Sequence, residues 1–254
     1  MYCAIDFGTS NSAIAVPDGA SGMRLVELEP GHTTMPTAVF YFVDGPELDG
    51  PPRAFGRAAV AAYVDGLDGR LMRSMKSILG SSLIEQTTDV GGGRGVKYLD
   101  IVAGYLKHLK TRAEAQAKAP INRAMLGRPV FFVDDDPVRD AQAQAALETA
   151  AALVGFDEVH FQYEPIAAAF DYESSIDMEQ VVLVADIGGG TSDFSVRPPC
   201  AILLQGWENP PCNRRMSWDV KRWPMGWVCW TWPRCITRHW RQVCLGTRRL
   251  KKLC

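Results

Sequence analysis

Residues 1–197 contain no tryptophan and one cysteine, Cys3. A single thiol closes no disulfide within that part, and no Cys-x-x-Cys pair occurs anywhere, which argues against a disulfide scaffold or a ribbon-type zinc site. No stretch approaches the roughly 20 apolar residues that a membrane span requires. Met1 runs into an apolar segment with no basic leader or small-residue cleavage site. We therefore expect a cytoplasmic protein that neither crosses a membrane nor binds nucleic acid. A P-loop is missing too: Gly91-Gly92-Gly93-Arg94-Gly95 lacks the Gly-Lys-Ser/Thr ending and the strand that would precede a Rossmann turn, and reads as a flexible surface loop.

What is present is unevenly distributed. The chain of 254 residues is 47 % hydrophobic, enough for one large or two small packed domains. Its net charge of -2 conceals two compositions. Residues 1–197 carry 16 Lys+Arg against 27 Asp+Glu, a net of -11, and residues 198–254 carry 11 against 2, a net of +9. All seven tryptophans and six of the seven cysteines follow Arg197.

Local patterns predict an α/β order. Residues 2–7 and 12–16 read as strands joined by the turn Gly8-Thr9-Ser10-Asn11. Ala38 to Val43 suggests a further strand, and Arg57 to Leu67 and Leu71 to Leu79 read as short helices. Tyr98, Ile101, Val102, Tyr105, Leu106 and Leu109 recur at helical spacing, in a helix that stops by Pro120. Strand Met125 to Val133 follows. Asp136 and Pro137 suit a helix start and Gly155 its end, and the acidic run Asp134 to Asp136 reads as a solvated capping loop rather than a metal site. Strand Glu158 to Tyr163 leads into a helix opened by Glu164-Pro165. The apolar run Gln180 to Ile187 has the look of a buried strand, and Ser192 to Val196 returns as another.

One repeat carries the chemistry. Residues 4–16 (AIDFGTSNSAIAV) align without a gap on residues 184–196 (VADIGGGTSDFSV) at an offset of 180. Asp6 meets Asp186, Gly8 meets Gly188 and Ser12 meets Ser192. Two similar hairpin tips, rich in glycine and hydroxyls and each beside a strand-end carboxylate, can clamp a polyphosphate from both sides. Gly8, Gly188, Gly189 and Gly190 let the backbone come close to phosphate oxygens, and Thr9, Ser10 and Thr191 add hydroxyl donors. Asp6 and Asp186 are anionic and cannot bind phosphate directly. Their placement makes sense with Mg²⁺ between them and the phosphates, held largely through its own waters.

The segments Ile5-Asp6-Phe7-Gly8-Thr9-Ser10-Asn11-Ser12 and Asp186-Ile187-Gly188-Gly189-Gly190-Thr191-Ser192-Asp193 resemble the two phosphate motifs of the actin, hexokinase and Hsp70 superfamily. Glu164-Pro165-Ile166-Ala167-Ala168-Ala169 resembles the helix linking its lobes. Met35-Pro36-Thr37, Phe55-Gly56-Arg57-Ala58-Ala59 and Met75-Lys76-Ser77-Ile78-Leu79-Gly80 favour the Hsp70 branch, so the resemblance spans residues 2–197. It implies an actin-like ATPase (ribonuclease H-like) fold: a first lobe over 1–180 with a small inserted subdomain at about 36–97, and the first hairpin of a second lobe over 181–197. It also implies ATP or ADP with Mg²⁺ as ligands. Gly8, Thr9, Ser10, Asn11, Gly188, Gly189, Gly190 and Thr191 would hold the phosphates, and Asp6 and Asp186 the metal. Lys76 would reach the γ-phosphate, Glu164 would hold a metal-bound or attacking water, Thr191 would touch the γ-phosphate, and Asp193 would stand near as an acidic partner. Without the resemblance, Lys76 is a helix-surface lysine and Glu164 a carboxylate favoured by a helix dipole. Arg128-Pro129-Val130-Phe131-Phe132 replaces the usual Val-Pro-Ala-Tyr-Phe, and Asp134 to Asp136 replaces Asn-Asp-Ser. Short bacterial Hsp70-like proteins without a peptide-binding domain fit better than a housekeeping chaperone.

On this reading the parent protein is an Hsp70-like ATPase acting on unfolded protein clients with co-chaperones. A sugar-type small-molecule kinase or a filament-forming protein of the same superfamily is the alternative. The family would continue after Val196 through a second lobe. Pro198 to Cys254 instead reads as GC-rich DNA translated out of frame, which would make this chain truncated and impaired. A zinc site from Cys212, Cys229, Cys235, Cys244 and His239, or a basic-aromatic nucleic-acid patch, is the competing reading of that tail. We expect the purified chain to aggregate or to be captured by chaperones; a monodisperse peak in size-exclusion chromatography would contradict this.

Overall fold

The computed structural model describes residues 1–19, 22–45, 50–173, 182–187 and 192–197. For residues 169–173, 182–187 and 192–197 it describes the backbone course alone. Gly188, Gly189, Gly190, Thr191 and the whole of 198–254 lie outside the described residues.

The elements in chain order are β1 (Tyr2–Phe7), β2 (Asn11–Asp18), β3 (Gly22–Leu25), β4 (Thr34–Pro36), β5 (Ala38–Phe42), β6 (Arg53–Phe55), α1 (Gly56–Val64) and β7 (Gly69–Arg73). Two 3-10 turns, Met75–Ile78 and Ser82–Glu85, precede β8 (Thr87–Asp89), β9 (Gly95–Lys97) and α2 (Tyr98–Ala117). Then come β10 (Arg123–Arg128), α3 (Pro137–Leu153), β11 (Glu158–Tyr163), α4 (Glu164–Glu173), β12 (Val182–Ile187) and β13 (Ser192–Arg197).

The main sheet runs β11-β10-β1-β2-β3, with β4 also paired to β2. β1 is parallel to β10 and antiparallel to β2, and β10 is parallel to β11. Alternation divides its residues. Cys3, Ile5 and Phe7 join Ile14 and Val16 in the main core against α2, whose Ile101, Val102, Tyr105, Leu106 and Leu109 are all buried. Ala4 and Ala15 face the other way, into a smaller cluster with Met23, Leu25 and Met125. Phe7 and Tyr105 rings meet at 5.9 Å across the main core, and each fully buried side chain of this size contributes about 1.5–3 kcal/mol.

A separate three-stranded sheet, β6-β5-β7, carries α1 on its surface, with Phe40, Ala59 and Ala62 at the junction. A strand and a turn occupy the place where the spacing predicts a helix over Leu71 to Leu79. Leu71 pairs with Phe40 and Met72 with Val39, because the buried strand β5 needs a second hydrogen-bonding neighbour. Ser74 then turns left-handed at φ 53° and starts the 3-10 turn that carries Lys76. Two other elements end earlier than expected. α1 stops at Val64, ahead of left-handed Gly66. β10 stops at Arg128, since Pro129 has no N–H to offer a ladder.

Gly95 opens β9, and Gly91 to Arg94 lie in the turn between β8 and β9, with positive φ at Gly91, Gly92 and Gly93. Arg94 ties it to β5 by donating to the carbonyls of Phe42 and Val43. Asp136 caps α3 by accepting from the Arg139 amide at 3.0 Å, with Pro137 in the first turn and Gly155 closing the far end, as the sequence suggests.

The duplicated hairpin appears as duplicated register. β1 and β2 pair Ile5 with Ile14, Asp6 with Ala13 and Phe7 with Ser12. β12 and β13 pair Ala185 with Phe194, Asp186 with Asp193 and Ile187 with Ser192. Each of the four pairs in the first hairpin recurs in the second shifted by 180 residues. α4 lies against both strands of the second hairpin.

His108 stacks on Phe55 with ring centroids 4.3 Å apart. Burial, followed by the nearby Arg112 charge, lowers its pKa to about 4. It is neutral in the folded state, whereas the unfolded chain takes up its proton near pH 6.5. Stability contributed by this group is therefore full above about pH 6.5 and lost as pH falls towards 4. We predict that His108→Phe shrinks the drop in melting temperature between pH 7 and pH 5; an unchanged drop would show that His108 titrates normally.

Candidate functional site

β1 delivers Asp6 to the edge of the first turn, where its side chain is 7 % exposed. By alternation it lies on the face of Ala4, opposite Ile5 and Phe7. The turn that follows is tight. A Cβ on Gly8 would collide with the Asn11 carbonyl oxygen, so no larger residue fits without moving the backbone.

Thr37, between β4 and β5, holds this turn from inside. Its hydroxyl donates to the Gly8 carbonyl at 2.8 Å, its amide donates to the Ser10 carbonyl at 2.9 Å, and it shares a 2.8 Å hydrogen bond with the Ser12 hydroxyl. Tyr105 braces the same corner by donating to the Pro36 carbonyl at 2.9 Å. Desolvation by burial raises its phenol pKa well above the usual value. Thr9 is half-buried, and Ser10 and Asn11 are exposed. The turn is thus anchored through its carbonyls while its outer residues face solvent.

Lys76 and Glu164 come from segments 88 residues apart and meet at 2.6 Å. Their side chains are 10 % and 9 % exposed. Lys76 stands on the 3-10 turn after β7, so it is a buried ion-pair partner and no helix-surface lysine. Glu164 is the first residue of α4, set by the β11–α4 junction. Glu164 lies over β10 at Gly127, where an added Cβ would stand 3.3 Å from the Glu164 Cγ and 3.6 Å from the Ile5 carbonyl oxygen. Since Ile5 precedes Asp6, the Lys76–Glu164 pair sits across β10 from the residue next to the first carboxylate.

Asp186 and Asp193 are paired neighbours at the end of the second hairpin. The structure therefore brings together Asp6, the Gly8 to Asn11 turn and, one strand away, Lys76 with Glu164. Among the described residues no group of three or more His, Cys, Asp or Glu side chains forms a metal-binding cluster.

Three contributors were not singled out from sequence. Thr37 lies within the Met35-Pro36-Thr37 segment, whose sequence assigns it no role of its own. Gly127 could have been noticed, because a glycine inside a strand signals close approach of another group. Arg128 gave no such signal; it reads as a departure at a strand edge, yet it is 7 % exposed and bonded to α3.

A mixed sheet that begins with this hairpin, followed by a copy in identical register, defines an α/β protein of the actin-like ATPase fold. A family model described as Hsp70 protein matches residues 2–198, and the chain belongs to the Hsp70 family. Among curated proteins it is 33 % identical over 212 residues to a chaperone protein HscA homolog of Aromatoleum aromaticum (strain DSM 19018 / LMG 30748 / EbN1). That match covers 77 % of this chain and 32 % of the relative, so the chain spans about a third of the length of the curated relative it matches.

Removing one member of a buried ion pair strands the other charge, typically at about 3–5 kcal/mol. We predict that Lys76→Met lowers the unfolding free energy by about 3 kcal/mol and that adding Glu164→Gln recovers most of it. Urea denaturation of the two variants measures this; strictly additive losses would mean that the pair does not interact.

Proposed function

We propose that residues 2–197 form a nucleotide-binding part of an Hsp70-type ATPase, with ATP or ADP and Mg²⁺ as ligands, working in the cytoplasm. The observation that carries the reading is the buried Lys76–Glu164 pair beside the Asp6–Gly8 corner, in a chain of the Hsp70 family. The donor set suits the ligand: a buried strand-end carboxylate, a turn that only glycine can make, and exposed hydroxyl and amide side chains next to it.

In this proposal Gly8, Thr9, Ser10 and Asn11 grip the phosphates from one side, and Gly188, Gly189, Gly190 and Thr191 from the other. Asp193 stands beside that second turn. Asp6 and Asp186 would hold Mg²⁺ through water, and Mg²⁺ when bound would neutralise charge between carboxylates and phosphates. Lys76 supplies positive charge where negative charge develops on the transferred group, and Glu164 orients the attacking water. Their mutual ion pair keeps both groups poised and fixed before substrate arrives. The relative's printed name, a chaperone protein, supports unfolded proteins as clients and co-chaperones as partners of the complete protein.

We propose further that this chain turns ATP over weakly or not at all, because the residues after Arg197 have a composition unlike the lobe. Titration calorimetry on the full chain should show Mg²⁺-dependent ADP binding that Asp6→Asn weakens about tenfold or more, equivalent to about 1.4 kcal/mol. Binding unaffected by Asp6→Asn would remove the site reading. A Mg²⁺-dependent turnover abolished by Asp186→Asn would overturn the impairment.

A further inference from the structure

Arg128 is the residue at which this chain departs from the family's Val-Pro pair, and its surroundings are unusually complete for a strand-end arginine. Its guanidinium forms a 2.8 Å ion pair with Asp140 and donates to the Gln144 side chain, both on α3. It also donates to the Pro129 carbonyl at 3.2 Å. The same Asp140 carboxylate accepts the Phe132 amide at 2.6 Å, so one carboxylate fixes both the arginine and the loop leaving β10. The guanidinium carbon lies over two rings, 5.1 Å from the centroids of Phe132 and of Tyr163.

Tyr163 gives this arrangement a consequence. It is the last residue of β11, the register partner of Arg128, and the immediate neighbour of Glu164. Strand pairing fixes the backbone of Tyr163, and the guanidinium lies against its ring. The direction in which Glu164 leaves the sheet then depends on both. Gly127 clears the space over β10 through which the Glu164 side chain passes. A valine at position 128 could neither stack as a cation nor reach Asp140, so this chain anchors the β11–α4 junction by a polar clamp that a branched apolar residue cannot form.

We propose that Arg128, held by Asp140, is a positioning residue that sets Glu164 against Lys76. Any consequence for ATP chemistry rests on the function proposed above, but the geometry can be tested without nucleotide. The probe is the amine reactivity of Lys76 in the full chain, read as its acetylation rate by acetic anhydride and mass spectrometry, with Lys97 as an exposed internal reference. Glu164→Gln releases the Lys76 amine and sets the upper limit.

Arg128→Met is expected to raise Lys76 labelling severalfold, towards the Glu164→Gln level, while Arg128→Lys, which keeps the charge but not the planar fork, falls between it and wild type. Asp140→Asn should raise it in the same direction, and supplies the test should Arg128→Met fail to fold. Thermal melting checks that each variant is folded at the labelling temperature. Lys76 labelling at the wild-type rate in folded Arg128→Met or Asp140→Asn, with Glu164→Gln raised, overturns the proposal; so does wild-type labelling in Glu164→Gln. Raised labelling in a chain that binds no ADP supports the positioning role while removing the nucleotide reading.

Discussion

β1 is hydrogen-bonded on both edges, to β2 in one direction and to β10 in the other, and its two faces are covered by different clusters. A strand so enclosed has no freedom to slip, because a shift of one residue would put Asp6 into the main core and Ile5 in its place. The register that buries Cys3, Ile5 and Phe7 therefore also dictates where the Asp6 carboxylate and the Gly8 turn emerge. The site is a by-product of core packing, in the sense that the same alternation serves both. Thr37 extends this constraint across the sheet, since the Gly8 and Ser10 carbonyls it holds would otherwise lack a fixed direction.

The Lys76–Glu164 pair answers a different problem, that of joining segments with no local reason to meet. Two charges that are each about nine-tenths buried are tolerable only together. The pairing thus specifies how the turn after β7 approaches the start of α4. The many contacts around Glu164, from Gly127 beneath it to Tyr163 before it, are what such a pair requires: a buried ion pair is favourable only when its geometry is held. This links specificity of the fold to the chemistry proposed for the two residues, as a preformed pair has little reorganisation left to undergo.

The parts legible in the sequence were those decided by local pattern. The thirteen-residue repeat announced two hairpins, and the register of β12 with β13 repeats that of β1 with β2 pair for pair. The α2 spacing and the Asp136-Pro137 start of α3 were legible for the same reason. Leu71 to Leu79 was not, because its apolar residues fit a helix as well as a strand followed by a turn. Demand for a partner on β5 decided the matter, and that demand comes from residues 31 to 35 positions away, as with Leu71 on Phe40 and Arg73 on Ala38. The role proposed for Lys76 came from resemblance alone, since nothing near it in sequence reveals Glu164. The roles of Gly127 and Arg128 depended on which strands and helices surround them, which a single strand's pattern does not contain.

The substitution at Arg128 shows how one fold accommodates a changed anchor. Where an apolar residue would secure the β10–loop corner by packing, an arginine must find partners for five donors and a charge. Here Asp140, Gln144, the Pro129 carbonyl and two aromatic faces meet that demand. Four of these, Asp140, Gln144, Pro129 and Phe132, lie within the loop and the first turns of α3, the region that also carries Asp134 to Asp136. The contacts are linked: the arginine at the strand end is met by an acid on the following helix, and the acid in turn captures the Phe132 amide. Arg128, Asp140, Gln144 and the Phe132 amide, spread over 17 positions of sequence, form one connected polar arrangement in three dimensions.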